Sequence, residues 1–359
     1  MLSDLKVLDF TRVLAGPLCT MMLGDLGASV IKVERPGVGD ETRGWGPPFD
    51  QRGESAYYLS VNRNKKSLAI DLDDPGDREL AQRLVAGADV VVDNFLPGVL
   101  ERRGLGPDQL VARHPALIWC TITGFGADSR RPGYDFVMQA ECGWMSITGE
   151  PDGRPTKVGV ALADIVAGKD AAIAILAALV RRSRTGKGGR LVTSLAQSAV
   201  ASLVNVAQNV LVTKRDAGRW GNAHPNLVPY QLFDCADRPI VVAVGSDAQW
   251  RGCVRALSLG TLADDARLAT NAGRLENRDA VVAALSSRLR ERHAAHWLAL
   301  LSGAGVPTGI VRTVLEALSD VEASALHGVA PSVPGSVRFA PPRLDEHGAE
   351  IRKHGWDVF

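Results

Sequence analysis

The 359-residue chain lacks most of the features that assign a sequence to a class at sight. Its 41 basic and 40 acidic residues leave a formal charge of +1, so it has neither the basic excess of a nucleic-acid binder nor an acidic tail. Five cysteines (Cys19, Cys120, Cys142, Cys235, Cys253) are odd in number, far apart and without a CxxC pair, which argues against a disulfide framework and a zinc knuckle. Seven histidines contain no HExxH, so no metal site is expected. There is no GxSxG elbow for a serine hydrolase and no Walker A run for ATP. No window approaches the roughly 20 apolar residues of a membrane span. The opening segment MLSDLKVLDF lacks the basic start and long apolar core of a signal peptide. These absences predict a cytoplasmic protein with no nucleic-acid and no membrane partner.

What is present is an alternation of strands and helices. The length exceeds one ordinary core, so two units are expected. Short apolar runs at Lys6–Phe10, Ser29–Glu34, Ser67–Asp71, Ala88–Phe95, Leu117–Gly124 and Arg190–Ser194 read as strands. Between them, Pro17–Leu26, Pro75–Ala86 and Pro97–Arg113 read as helices. This predicts an α/β fold: a Rossmann-like large domain with an open, mostly parallel sheet covered on both faces. Ala196–Leu211 reads as one long helix that other elements or another subunit would bury. A Gly-, Pro- and Asn-rich stretch at 213–231 breaks the pattern and marks a linker after a large domain spanning 1–212. Beyond it, a hairpin over Leu232–Gly245, helices near Ala248–Leu257, Arg278–Arg290 and Ala294–Ser302, and a strand at Thr308–Val311 predict a smaller α+β domain over 232–327. The proline-rich tail, 328–359, ends on Trp356 and Phe359 and is expected to return to other structure.

The segment KVGVALADIVAG, Lys157–Gly168, drives an apolar run into one acid, Asp164, at the start of a long Ala-rich helix reaching Arg182. An acid there has two readings. It can cap the helix, or the helix dipole can hold its carboxylate ionised and available as a nucleophile. The first strand–turn–helix unit imitates a dinucleotide site, but its turn TRVLAGP, Thr11–Pro17, carries one glycine where GxGxxG needs three. Basic residues at Arg35, Asn62–Lys66, Arg102–Arg103 and Arg130–Arg131 gather beside predicted strand ends, the ligand side of an open sheet. They are either solvated charge or the seat of a phosphate-rich ligand other than a dinucleotide.

Several segments occur in an order that resembles the class III coenzyme A transferases, the CaiB/BaiF family, which includes formyl-CoA transferase and α-methylacyl-CoA racemase. They are VLDFTRVLAGP (7–17), LGASVIKVERPGVGDETRGWGPP (26–48), NRNKKSLAIDL (62–72), ADVVVDNFLPGVLERRGL (88–105), VGVALAD ending at Asp164, GVPTGIV (305–311) and PPRLDEH (341–347). The resemblance implies that Asp164 is a catalytic nucleophile. It implies coenzyme A contacts at Val13, Leu14, Arg35, Ile70, Asp71, Leu72, Asp73, Asn94, Phe95, Leu96 and Arg102. A lysine contact of formyl-CoA transferase falls on Thr123, which removes a charge there. Coenzyme A or acyl-CoA would be a substrate, with a small carboxylic acid as the second one and no permanently bound cofactor. The reaction implied is transfer of coenzyme A from an acyl-CoA donor to a carboxylate through aspartyl anhydride and aspartyl-CoA thioester intermediates. Succinyl-CoA is one candidate donor.

The racemase branch places a His-Asp pair where this chain has Tyr134-Asp135. A phenol ordinarily ionises near 10 and is a poor base at neutral pH. The resemblance therefore favours transferase over 2-methylacyl-CoA racemase and over a noncatalytic acyl-CoA binding protein. The glycine run GGGGQ of formyl-CoA transferase is missing. Its place is taken by GNAHPNLVPYQ (221–231), where His224, Asn226 and Tyr230 are candidates for reading the acceptor or for merely shaping the turn. The resemblance also implies an interlocked homodimer.

Overall fold

A computed structural model describes residues 1–359. Contacts divide the chain into two units, the first comprising 1–145, 157–215 and 320–359, the second 146–156 and 216–319. These limits differ from the sequence boundaries in three places: the excursion 146–156 joins the second unit, the expected linker 213–231 is divided after 215, and the return to the first begins at 320 rather than 328. The reason is pairing that spacing does not announce. The Gly221 N–H donates to the Gly149 carbonyl at 3.0 Å, and the Arg219 guanidinium donates to the carbonyls of Glu150 and Gly153.

In the first unit, six parallel strands form one sheet: β1 (Lys6–Asp9), β2 (Ser29–Glu34), β3 (Lys65–Ala69), β4 (Val90–Asp93), β5 (Ile118–Thr123) and β6 (Gly189–Ser194). Their spatial order is β3-β2-β1-β4-β5-β6, which places a topological switch between β1 and β4. Both faces are covered, so successive strand residues enter two different cores. Val7, Val30, Val90 and Ile118 pack under α1 (Ala15–Asp25) and the 24-residue helix Leu162–Thr185. Leu8, Ile31, Val91 and Trp119 pack on the opposite face under α2 (Pro75–Ala86) and the chain end, with Ile351 and Trp356. The tail does return, and Trp356 donates its indole N–H to the Leu84 carbonyl at 3.0 Å.

Three expected elements differ. The third strand starts two residues early, at Lys65, because the Lys65 ammonium is needed inside: it meets Asp9, the Pro17 carbonyl and Asn62 and is fully buried. Pro97–Arg113 is not one helix. A single 3₁₀ turn, Glu101–Arg103, ends at Gly104 in the left-handed region (φ 68°), and α3 (Pro107–Arg113) restarts with proline in its first turn. Two further helices precede the last break: α4 (Asp135–Glu141) and the long helix Leu162–Thr185, designated α5. Ala196–Leu211 splits into α6 (Leu195–Ala201) and α7 (Val204–Thr213), bent by 70° where Val204 adopts a φ of 40°. None of α7 is buried in the single chain. No single helix is long and apolar enough to cross a membrane.

The second unit is built on a three-stranded antiparallel sheet of β7 (Tyr230–Phe233), β8 (Ile240–Ala243) and β9 (Thr308–Ile310). Helices α8 (Asp247–Ala256), α9 (Arg278–Leu289) and α10 (Ala294–Gly303) cover it, and Trp250, Leu285 and Trp297 lie in their common core.

Candidate active site

Parallel strands that all point one way bring the loops after them to one edge. At the switch between β1 and β4 those loops open a cleft of roughly 200 Å³, lined by Arg12–Ala15, Asn94–Pro97, Thr123–Gly124 and Tyr134, with Asp164 in its wall. The first turn is fixed from two sides. The Asn94 side chain accepts from the Arg12 N–H at 3.1 Å and donates to the Arg12 carbonyl at 2.8 Å, bolting the loop after β4 to the loop after β1. Val13 then takes a φ of 73°, a conformation that β-branched residues rarely tolerate. Its N–H donates to Asp40 at 3.3 Å, and Asp40 is held in turn by the fully buried Lys32 ammonium at 3.0 Å.

The sequence candidates divide into two groups. Val13, Leu14, Asn94, Phe95, Leu96 and Thr123 line the cleft with Asp164. Arg35 and Ile70–Asp73 stand further along the same edge, past β2 and β3, where the Ile70 N–H donates to the Glu34 carbonyl at 2.8 Å. The Ile70 side chain is buried in the core, whereas Arg35, Asp71 and Asp73 are exposed. Arg102 is exposed above Gly98, and its neighbour Arg103 pairs with Asp73 at 3.0 Å. Other basic candidates have structural partners: Arg63 pairs with Asp25, and Arg131 with Glu141.

Asp164 lies in the first turn of α5, two residues beyond the first helical position. It is not the cap, which is Ala161 with no side-chain bond. The anion at the helix start is Asp135 from α4. Asp135 Oδ1 accepts from the Ala163 N–H at 2.8 Å, and Oδ2 accepts from the Gln139 amide at 2.7 Å. Asp164 is 8% exposed. Burial first, and the neighbouring Asp135 charge second, push its pKa up to about 7. The expectation that the helix start keeps this carboxylate ionised is therefore corrected: Asp135 takes the Ala163 N–H, and burial raises Asp164 toward neutrality. Burial, aided by Asp164, Asp135 and Asp40, pushes the Tyr57 phenol up to about 12.

Residues 2–353 match the model of CoA-transferase family III. The chain belongs to that family. Mouse succinyl-CoA:glutarate CoA-transferase is 44% identical over 98% of this chain and 86% of its own length. Acetyl-CoA:oxalate CoA-transferase of Acetobacter aceti is 38% identical over 98% and 95%. Among solved structures, a CaiB/BaiF family protein from Brucella suis is similar, with a TM-score of 0.87 and 42% identity, covering 98% of each chain. This class III CoA-transferase is thus an enzyme that moves coenzyme A from an acyl-CoA to a carboxylic acid.

Sequence reasoning gave no role to Arg12 in this CoA-transferase's cleft or to Gln139 behind it. Arg12 stacks over Phe95 at 5.4 Å and reaches Glu41 at 3.6 Å. The Asp135–Gln139 pair had one local signal, an acid and an amide four positions apart on a helix. In the second unit, His224, Asn226 and Tyr230 share one turn. The His224 N–H donates to the Tyr230 carbonyl at 2.9 Å, and the Asn226 N–H donates to His224 Nδ1 at 3.0 Å. Arg278 donates to the carbonyls of His224 and Pro225, tying that turn down.

Proposed function

We propose that Asp164 is the nucleophile of coenzyme A transfer, that the donor is succinyl-CoA and that the acceptor is a small dicarboxylate of the glutarate kind. The observation that carries the first claim is a buried carboxylate in the cleft wall, poised near neutrality and committed to no helix cap. The substrate claim rests on the names of relatives at 41–44% identity, among them a succinate–glutarate CoA-transferase of Agrobacterium fabrum.

The exchange balances without ATP, because one thioester is made for each one broken. The Asp164 carboxylate attacks the donor's thioester carbonyl; the C–S bond breaks, coenzyme A leaves as thiolate and a mixed anhydride remains. The thiolate attacks the aspartyl carbonyl of that anhydride, expelling the donor's carboxylate and leaving an aspartyl-CoA thioester. The acceptor carboxylate attacks this thioester, and the same two steps run in reverse order. A proton resting on Asp164 must leave before the first attack, and no other step requires net proton transfer.

Val13, Leu14, Asn94, Phe95, Leu96 and Thr123 would seat the pantetheine end beside Asp164. Arg35 and Arg102, with the Ile70–Asp73 main chain, would meet the nucleotide phosphates further along the sheet edge. His224, Asn226 and Tyr230 would read the acceptor. The apolar, uncovered α7 supports an interlocked homodimer in a cytoplasmic enzyme. The first claim is tested by incubating the protein with succinyl-CoA and digesting it: a peptide holding Asp164 should carry one coenzyme A. Undiminished exchange with glutarate in Asp164→Asn would overturn the nucleophile, and exchange with oxalate but not glutarate would overturn the acceptor class.

A further inference from the structure

Asp135 has two carboxylate oxygens: one is spent on the segment that carries the nucleophile, the other on a side chain of its own helix that also grips that segment. Oδ1 holds the Ala163 N–H, one residue before Asp164, and Oδ2 holds Gln139. Gln139 is fully buried and spans the approach to the helix: its amide N–H donates to the Val160 carbonyl at 3.2 Å, and its Oε1 accepts from the Val158 N–H at 2.7 Å. Three bonds from one turn of α4 therefore fix residues 158–163, the approach to α5 and its first turn, and a fourth, between Gln139 and Asp135, holds the two anchors together.

We propose that Asp135 is a positioning residue for Asp164: clamped by Gln139, it occupies the anion seat at the start of α5, so that the nucleophile's carboxylate stays uncapped in the cleft and under a like charge. The proposal rests on Asp164 being the nucleophile. A carboxylate sharing its site with another is a stronger base, hence a better nucleophile toward a thioester carbonyl. Neither nearby cation cancels this. Arg131 is engaged by Glu141 at 2.6 Å, and Arg12 by Glu41 at 3.6 Å. Of the remaining ionisable groups by the site, Tyr134 in the cleft and Tyr57 are phenols, and the acids Glu41 and Asp40 are paired with Arg12 and Lys32. Asp170, one and a half turns further along α5, accepts from the Ser198 hydroxyl.

The test is the pH profile of kcat/KM for Asp135→Asn, which keeps the shape and removes the charge. The acid limb should move to lower pH by about one unit, and kcat above the limb should fall about 10–100-fold while KM for the acyl-CoA changes little. A limb that stays in place overturns the proposal, since a merely structural aspartate would cost kcat or stability without moving it. Gln139→Leu keeps the charge and loosens the clamp. It should lower kcat with the limb unmoved, and unchanged kcat would equally overturn the positioning role, including where Asp135→Asn does not fold. Exchange that persists in Asp164→Asn defeats the nucleophile instead, so the two failures are distinguishable.

Discussion

At the scale of single residues, the centre of this enzyme is a carboxylate whose chemistry is set by its neighbours. Asp164 was legible as an acid at a helix start inside a family segment, but its ionisation was not. That depends first on burial and then on Asp135, 28 positions before the Ala163 amide it occupies. Because attack requires the carboxylate, kcat/KM should fall about tenfold per pH unit well below 7, with the limb read by initial rates across pH 5–9. The same shift costs stability. The folded pKa lies above the ~4 of an unfolded Asp, so between those values the folded state holds a proton that the unfolded chain has released. Stability therefore falls as pH rises through that window and is lowest above about 7. Asp164→Asn should consequently be more stable than the native protein at pH 8, by on the order of 2–4 kcal/mol in urea melts, with the gain vanishing near pH 4. Lys65 teaches the converse lesson. Within the basic run 62–66 it reads as solvated charge or an anion seat, yet it is buried under Asp9. Asp9 is pushed up by burial and pulled further down by Lys65 and Lys32, to about 2. Nothing local in the sequence distinguishes a lysine with a carboxylate 56 positions away from one in water.

At the scale of elements, the parallel strands were readable because burial on both faces leaves continuous apolar runs. Helix continuity was not, since the turns at Gly104 and Val204 depend on backbone angles that periodicity does not encode. The contact that positions the nucleophile's helix is the crossing of α1 and α5. A Cβ at Gly168 would lie 2.5 Å from the Ala15 carbonyl oxygen, and Ala167, Ala171 and Ala172 keep that side of the helix small. Backbone cannot rotate away as a side chain would. Gly168→Ala should therefore cost roughly 1–3 kcal/mol in chemical denaturation, despite alanine's higher helix propensity. It should also lower kcat more than KM, because Ala15 and Asp164 line the same cleft.

At the scale of the whole molecule, the α/β class followed from element order. The crossing points at 146, 157, 216 and 320 did not, because a short excursion carries no composition of its own. The exposed face of α6 and α7 makes a prediction at this scale. Val200, Val204, Leu211 and Val212 are 50–72% exposed in the single chain, an apolar patch of the kind that marks an interaction surface. Sedimentation equilibrium should give a dimer, and Leu211→Lys with Val212→Lys should shift it toward monomer at micromolar concentration.

The bond from Trp356 to Leu84 joins residues 272 positions apart. During synthesis, the face of the sheet that carries Leu8, Ile31 and Trp119 must wait uncovered on that side while the whole second unit is made. Long sequence separation of this kind slows folding and leaves apolar surface open to wrong partners in the interval. The order of manufacture thus runs against the order of assembly: residues that emerge early acquire their last wall from residues that emerge late. A tag or fusion placed after residue 359 would act on this closing step rather than on the cleft, lowering the yield of folded protein while leaving the activity of each folded molecule intact.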